Sequence, residues 1–204
     1  MGAKCSSING VGYGCRLRVW QAARPRRCQV TLTKRTRRQT LRHMARILDI
    51  RLAVSADATA IATMSRDLIE TGLDWSWTRE RVARALARKD TIGAAGYLGL
   101  TMTGFALMRF GYEEANLDLL AVRPPWRRRG IGRALVQWLE ESALVAGIGI
   151  VRIQVRADQP AALAFYRSLG YRSWRKVAGY YGKRQTALYM AHDLWCPPVL
   201  DSLR

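Results

Sequence analysis

Apolar and polar positions alternate in blocks from residue 47 onward, and the period switches between about two and about 3.6 residues. Residues 47–54 read as a short strand, with Ser55 placed to cap the helix that follows. That helix, 57–69, sets Ile61, Met64, Leu68 and Ile69 on one side and stops at Gly72. A second helix, 79–89, turns Val82, Ala85 and Leu86 inward and leaves its arginines in solvent. The loop between them carries Trp75 and Trp77, read as packing or loop anchors rather than walls of a binding site. Three strands follow at 91–98, 103–110 and 115–122, with a turn at 111–114. A helix over 130–146 then shows Ile131, Ala134, Leu135, Trp138 and Leu139 at helical spacing and ends at Gly147. Residues 148–155 alternate as a strand. Asp158 is placed to cap a helix with Pro160 in its first turn, closed by Gly170, and strands at 171–177 and 186–194 complete the pattern. The order βααβββαβαββ, with its strand–helix–strand unit, predicts an α/β (α+β) fold: a mixed, mostly antiparallel sheet holding one parallel crossover.

The junction at 116–133 organises this pattern. An apolar strand breaks off at Pro124-Pro125 and becomes Arg127-Arg128-Arg129-Gly130-Ile131-Gly132-Arg133 just as the helix begins. N–H groups in a first helical turn lack intrahelical partners and carry the positive end of the helix dipole, so the turn suits phosphate oxygens. Glycine at 130 and 132 lets the backbone approach a bulky diphosphate, and the arginines add counter-charge.

Charge changes the picture at one end of the chain. The formal net charge is +19, yet residues 1–43 hold eleven of the 34 basic residues and none of the 15 acidic ones. This basic leader, with Lys34-Arg35-Thr36-Arg37-Arg38, has no helical or strand period and is expected to be disordered. Three readings stand for it: translated sequence upstream of a start at Met44, an Arg-rich transit peptide, or a basic arm for nucleic acid. The domain itself is expected over 44–196, with a tail at 197–204. Cys5, Cys15, Cys28 and Cys196 form neither a metal spacing nor a disulfide framework, which points to a reducing compartment, the cytoplasm. No apolar run approaches the ~20 residues of a membrane span, so no membrane partner is expected. Neither His43 nor His192 sits in a pattern that would hold a metal.

Two separated motifs carry a resemblance. The first is Arg127-x-x-Gly130-x-Gly132 after the strand that ends Leu119-Leu120-Ala121-Val122; the second is 159–171, Gln-Pro-Ala-Ala-Leu-Ala-Phe-Tyr-Arg-Ser-Leu-Gly-Tyr. Together they resemble the GNAT superfamily of N-acetyltransferases over about 47–194, and the end of the chain, with Tyr180-Tyr181 and Ala187-Leu188-x-Met190, is similar to the ribosomal-protein alanine acetyltransferases within it. The resemblance implies a GNAT-like fold, acetyl-CoA as cosubstrate with no metal, and direct transfer of the acetyl group to an amine. It places the backbone of Leu120 and Val122 along pantetheine. The pyrophosphate falls to Arg127, Arg128, Arg129, Gly130, Ile131, Gly132, Arg133 and Ala134, with Gln159 also on the cofactor. Tyr166 becomes the general acid that protonates the leaving thiolate.

One departure bears on catalysis. Where the resembling enzymes carry a glutamate base at the start of Glu-Val-Arg, this chain has Gln154-Val155-Arg156, and an amide cannot take a proton at neutral pH. Asn116 occupies the other position the superfamily uses for a base. Asp118 shares its strand face and is the carboxylate candidate. The acceptor is an amine, on a small molecule or a protein N-terminus, and Tyr180 and Tyr181 would border its groove. Two rivals remain at this stage: an acyl-CoA-binding sensor without turnover, motivated by Gln154, and nucleic-acid binding through the leader. Monomer and homodimer are both open.

Overall fold

Among the described residues seven strands pair into one sheet: β1 (Leu48–Leu52), β2 (Thr91–Leu98), β3 (Thr101–Phe110), β4 (Glu114–Val122), β5 (Ile150–Arg156), β6 (Arg172–Tyr181) and β7 (Gln185–Asp193). Their order across the sheet is β1–β2–β3–β4–β5–β7–β6, and every neighbouring pair is antiparallel except β4 with β5. The computed structural model describes residues 47–181 and 185–196. The expected leader (1–43), the tail (197–204) and residues 44–46, where the domain is expected to begin, lie outside the described residues.

Among the described residues four helices cover the sheet: α1 (Ala58–Leu68), α2 (Arg79–Leu86), α3 (Ile131–Val145) and α4 (Pro160–Arg167), with short 3-10 turns at Ser55–Asp57 and Pro124–Trp126. Their apolar faces make two cores on opposite sides of the sheet. One gathers Met108, Leu117, Ile131, Leu135, Leu139, Val151, Ile153 and Met190 beneath α3 and α4. The other gathers Ile61, Met64 and Val82 against Phe105, Leu107, Leu119 and Ala121 beneath α1 and α2. Each such fully buried large side chain contributes about 1.5–3 kcal/mol relative to exposure. Among the described residues, no helix is long and apolar enough to cross a membrane, and no group of three His, Cys, Asp or Glu side chains is placed to hold a metal ion.

Two helix starts differ from the sequence reading, each because an aspartate carboxylate is engaged elsewhere than at the expected cap. Ser55 opens a 3-10 turn rather than capping α1, because Asp57 closes that turn by accepting the Val54 N–H at 2.9 Å. Gln159, not Asp158, stands at the N-cap of α4; the Asp158 carboxylate turns back to Arg156 Nε and Nη2 at 3.1 and 3.0 Å. A bidentate charge-assisted pair outcompetes a cap on a neutral N–H. Thr78 caps α2 by accepting the Arg81 N–H at 3.4 Å.

Candidate active site

The parallel pair β4–β5 holds for four rungs only, from Glu114 with Ile150 to Leu117 with Ile153. Beyond them β4 follows β3 as far as Val122, while β5 follows β7 as far as Arg156. The strands part and leave a cleft. A bulge marks the parting point: Met108 of β3 faces Leu117 and Leu107 faces Leu119, so Asp118 is the extra residue. A bulge bends its strand and increases the local twist. It also changes which way the strand faces, since Leu117 enters the core under α3 while Leu119 and Ala121 enter the core under α1. The Arg123 N–H donates to the Thr103 carbonyl of β3 at 2.8 Å. Peptide groups along a strand point alternately to either side, so those of Leu120 and Val122 turn toward the cleft. Arg127 Nε donates to the Val122 carbonyl there at 3.0 Å.

At the outer end of this edge the chain enters α3 through a turn with two left-handed residues, Arg128 (φ 61°) and Gly130 (φ 79°). Such a turn makes successive N–H groups converge. The Ala134 N–H bonds the Gly130 carbonyl at 3.0 Å, so the N–H groups of Ile131, Gly132 and Arg133 lie ahead of that bond, free of the helix's own acceptors. The two glycines do different work. A Cβ on Gly130 would meet nothing within 4 Å, so glycine serves the backbone angle; on Gly132 it would stand 3.3 Å from the Phe165 ring and 3.6 Å from Val122. Gly132 therefore also lets α4 pack closely on the start of α3. The arginines are partly engaged: Arg129 lies 4.9 Å from the Trp126 ring centre, and Arg133 Nη2 donates to the Ser168 carbonyl and Oγ at 3.2 and 3.3 Å. Arg128 is exposed, Ile131 buried and Ala134 half-buried. Gln159 is exposed at the start of α4, where its carbonyl accepts the Leu163 N–H at 3.1 Å.

Tyr166 stands half-buried on α4, edge to face with Phe165 at 5.1 Å and with Tyr171 at 5.5 Å between ring centres. Behind it the buried Tyr171 hydroxyl donates to Glu140 at 2.9 Å, and His192 Nδ1 meets the same carboxylate oxygen at 2.9 Å. Burial first, then the Glu140 charge, raises the Tyr171 phenol well above its ordinary range. On β5 the exposed Gln154 accepts from the Tyr180 hydroxyl at 3.4 Å, and burial followed by the hydrogen bond with Tyr189 raises the Tyr180 phenol above its ordinary value. Asp118 accepts from Arg109 Nε and Nη2 at 3.3 and 3.2 Å. Arg109 lies directly across from Asn116 on β3, so Asn116 and Asp118 do share a side of the sheet.

Glu70, which sequence reasoning did not single out, orders the loop between α1 and α2 beside β5. The buried Glu70 accepts from Ser65 Oγ, the Ser76 N–H and Oγ, and the Trp77 N–H at 2.7–3.2 Å, which folds the loop between α1 and α2 around one carboxylate. Arg156 Nη1 donates to the Thr71 carbonyl at 3.0 Å, fastening that loop to β5. Trp77 packs against the core under α1 with Arg81 4.3 Å from its ring centre, and Trp75 donates from Nε1 to the Trp77 carbonyl at 3.1 Å. The bulge had a sequence signal: apolar alternation fails at Leu119-Leu120, directly after Asp118.

The acetyltransferase (GNAT) family model matches residues 59–171. The chain belongs to the GNAT acetyltransferase family. This GNAT enzyme is 34% identical over 128 residues to the [ribosomal protein bS18]-alanine N-acetyltransferase of Salmonella typhimurium, covering 58% of this chain and 86% of that protein. It is 33% identical over 120 residues to the N-alpha-acetyltransferase RimI of Mycobacterium tuberculosis, covering 57% of this chain and 73% of that protein. The crystal structure of the ribosomal-protein-S18-alanine N-acetyltransferase from Escherichia coli superimposes with a TM-score of 0.63 at 25% identity over 78% of this chain and 99% of that one. The fold is shared with Arabidopsis thaliana NAA60 in complex with acetyl-CoA, at a TM-score of 0.62 and 16% identity over 72% of this chain and 99% of that one. The GNAT chain is thus an N-acetyltransferase.

Proposed function

We propose that the enzyme transfers the acetyl group of acetyl-CoA to the α-amine of a protein N-terminus, by direct attack with both substrates bound. The observation that carries this reading is the cleft at Asp118, with a left-handed turn of N–H groups leading into α3 at one end and the Gln154–Tyr180 pair on its far wall. The names of its relatives, which act on a ribosomal-protein alanine or as an N-alpha-acetyltransferase, support the choice of amine.

The residues present fit acetyl-CoA. Convergent N–H groups after Gly130, with the positive charge of residues 127–133, suit a pyrophosphate, and the strand edge at Leu120 and Val122 offers peptide groups to an amide-containing arm. Acetyl-CoA supplies an activated acyl carbon; the chain orients it and manages two protons. As the amine nitrogen bonds to that carbon, the carbon–sulfur bond breaks and the Tyr166 hydroxyl donates its proton to the sulfur. The amine gives up its own proton to a water held by Gln154 and Tyr180 or to the Asp118 carboxylate, since Gln154 itself cannot accept it. No covalent enzyme intermediate is involved.

Thiol release and peptide mass test this directly. Peptides with a free N-terminus should gain one acetyl group, while peptides blocked there but carrying lysine should not. Preference for lysine side chains or small amines would overturn the assignment. A second reading, acyl-CoA binding without turnover, rests on Gln154; tight acetyl-CoA binding with no thiol release on any amine would establish it.

A further inference from the structure

The sheet face that holds Gln154 continues along β5, β7 and β6 as a row of rings. Tyr180 packs edge to face on Tyr189, and Tyr189 on Trp174, at 5.8 Å between centres in both cases. The row begins at Gln154, bonded to Tyr180 and paired across the strands with Tyr189. It ends at a cavity of about 300 Å³ lined by Ile150, Arg152, Arg172, Ser173, Trp174 and Ala191. Trp174 is 52% and Tyr180 44% exposed, a large apolar surface to leave in water on one face.

The charge along this row is positive. Arg152 lies 5.1 Å from the Trp174 ring centre and is ion-paired with Glu114; Arg175 lies 6.0 Å from the Tyr189 ring centre. Arg172 completes the set at the cavity. Three carboxylates near this side of the sheet are engaged: Glu114 by Arg152, Asp118 by Arg109, and Asp193 by the N–H groups of Trp195 and Cys196 at 3.0 and 3.1 Å. Among the described residues Arg172 and Arg175 make no ion pair, so two guanidinium charges are left over beside the rings. Their spacing from the cleft matches a peptide. A strand rises about 3.3 Å per residue, so Arg152 stands roughly 7 Å along β5 from Gln154 and an extended acceptor passes it within about two residues.

We infer that this row is the track for the acceptor chain beyond its reacting amine, and that Arg172 and Arg175 beside Arg152 select acceptors carrying Asp or Glu at about their third to sixth positions. The rings supply sequence-tolerant contact area and the arginines supply the sign of the charge. The inference rests on the N-terminal reading proposed above.

The test uses full-length protein and three peptides that share their first two residues and carry Asp/Glu, Ser or Lys at positions 3–6. The acidic peptide should show the highest kcat/KM and the lysine peptide the lowest, about tenfold or more apart at low salt, with the gap narrowing as salt rises. An R172E/R175E variant, checked for folding by circular dichroism and for acetyl-CoA affinity, should reverse that order. Equal rates on acidic and basic peptides would overturn the track while leaving N-terminal acetylation intact. So would a concentration-dependent dimer that the same variant dissolves with no change in peptide preference, since a second copy would then cover the row. Acetylation of none of the peptides, with turnover on a small amine, would refute the N-terminal reading and the track with it.

Discussion

The β4 wall of the cleft offers its functional groups from the backbone, whereas the β5 wall offers them from side chains. In the function proposed, the peptide groups of Leu120 and Val122 and the N–H groups after Gly130 would hold the cosubstrate on the first wall, and the side chains serve mainly to shape the chain. Arg127, for instance, is spent on the Val122 carbonyl. On the second, Gln154, Tyr180 and, on the helix beyond it, Tyr166 present hydroxyl and amide groups, and in the proposed function the identity of these groups decides the chemistry. Binding a long, repetitive cosubstrate needs only regular geometry, which backbone supplies. Moving protons needs groups of particular acidity, which only side chains supply. A substitution on the β4 wall should therefore act through conformation, and one on the β5 wall through chemistry.

The largest expected effect breaks the β5 wall. Tyr166→Phe keeps the ring packing and should lower kcat about a hundredfold, or ~2.7 kcal/mol, with the KM for acetyl-CoA unmoved. Unchanged kcat in steady-state assays would remove the acid from this wall. Next comes the β4 wall, where Gly130→Val forces a β-branched residue into φ 79°. The strain is about 1–2 kcal/mol, and calorimetry should show acetyl-CoA binding weakened about tenfold or more. Gly130→Asn, which tolerates that angle, and Arg128→Ala should each cost less; a larger loss at Arg128 would mean that side-chain charge rather than backbone holds the cosubstrate. Gln154→Glu sharpens the contrast from the other side. A carboxylate at that point should raise kcat/KM several-fold at neutral pH, and an unchanged rate would show that the amine proton leaves by another route, with Asp118→Asn the companion test.

The smallest effect concerns the seat of Tyr166. The Tyr171 phenol is raised by burial and by Glu140, so its folded value lies above the ordinary value near 10. The neutral phenol is the form that folding favours. Its contribution is complete below pH ~10 and is lost as pH rises from there toward the folded value. Melting temperature should accordingly fall above pH ~10, and Tyr171→Phe should flatten that fall; an equal slope in both proteins would place the alkaline sensitivity elsewhere.

Much of this was legible in the chain. The period of the apolar positions gave every strand and helix in its order, because each element must bury one face; the ends were less legible, with α2 stopping at Leu86 and β6 running on to Tyr181, and the cap of α4 moved because Asp158 turned to Arg156. The glycine turn and the Tyr166 helix were legible because a turn of that shape and a packed helix start constrain residue type locally. The second role of Gly132, the packing of Phe165 on it, was not, since the two residues are far apart in sequence. Glu70 was equally hidden, because a carboxylate reads as surface until four donors are seen to surround it.

The sequence by itself determined the order of the elements and the family resemblance, and it marked a turn with the conformation and charge proposed here for a phosphate, all of which follow from short-range rules about period, turn conformation and helix ends. Only the tertiary structure decided that β4 and β5 part at Asp118, that the Arg156 side chain ties β5 to the loop at Thr71, and that three rings from β6 and β7 line up beyond Gln154. These depend on register between strands distant in the chain, and a one-residue bulge in that register redirects what the local pattern leaves unspecified.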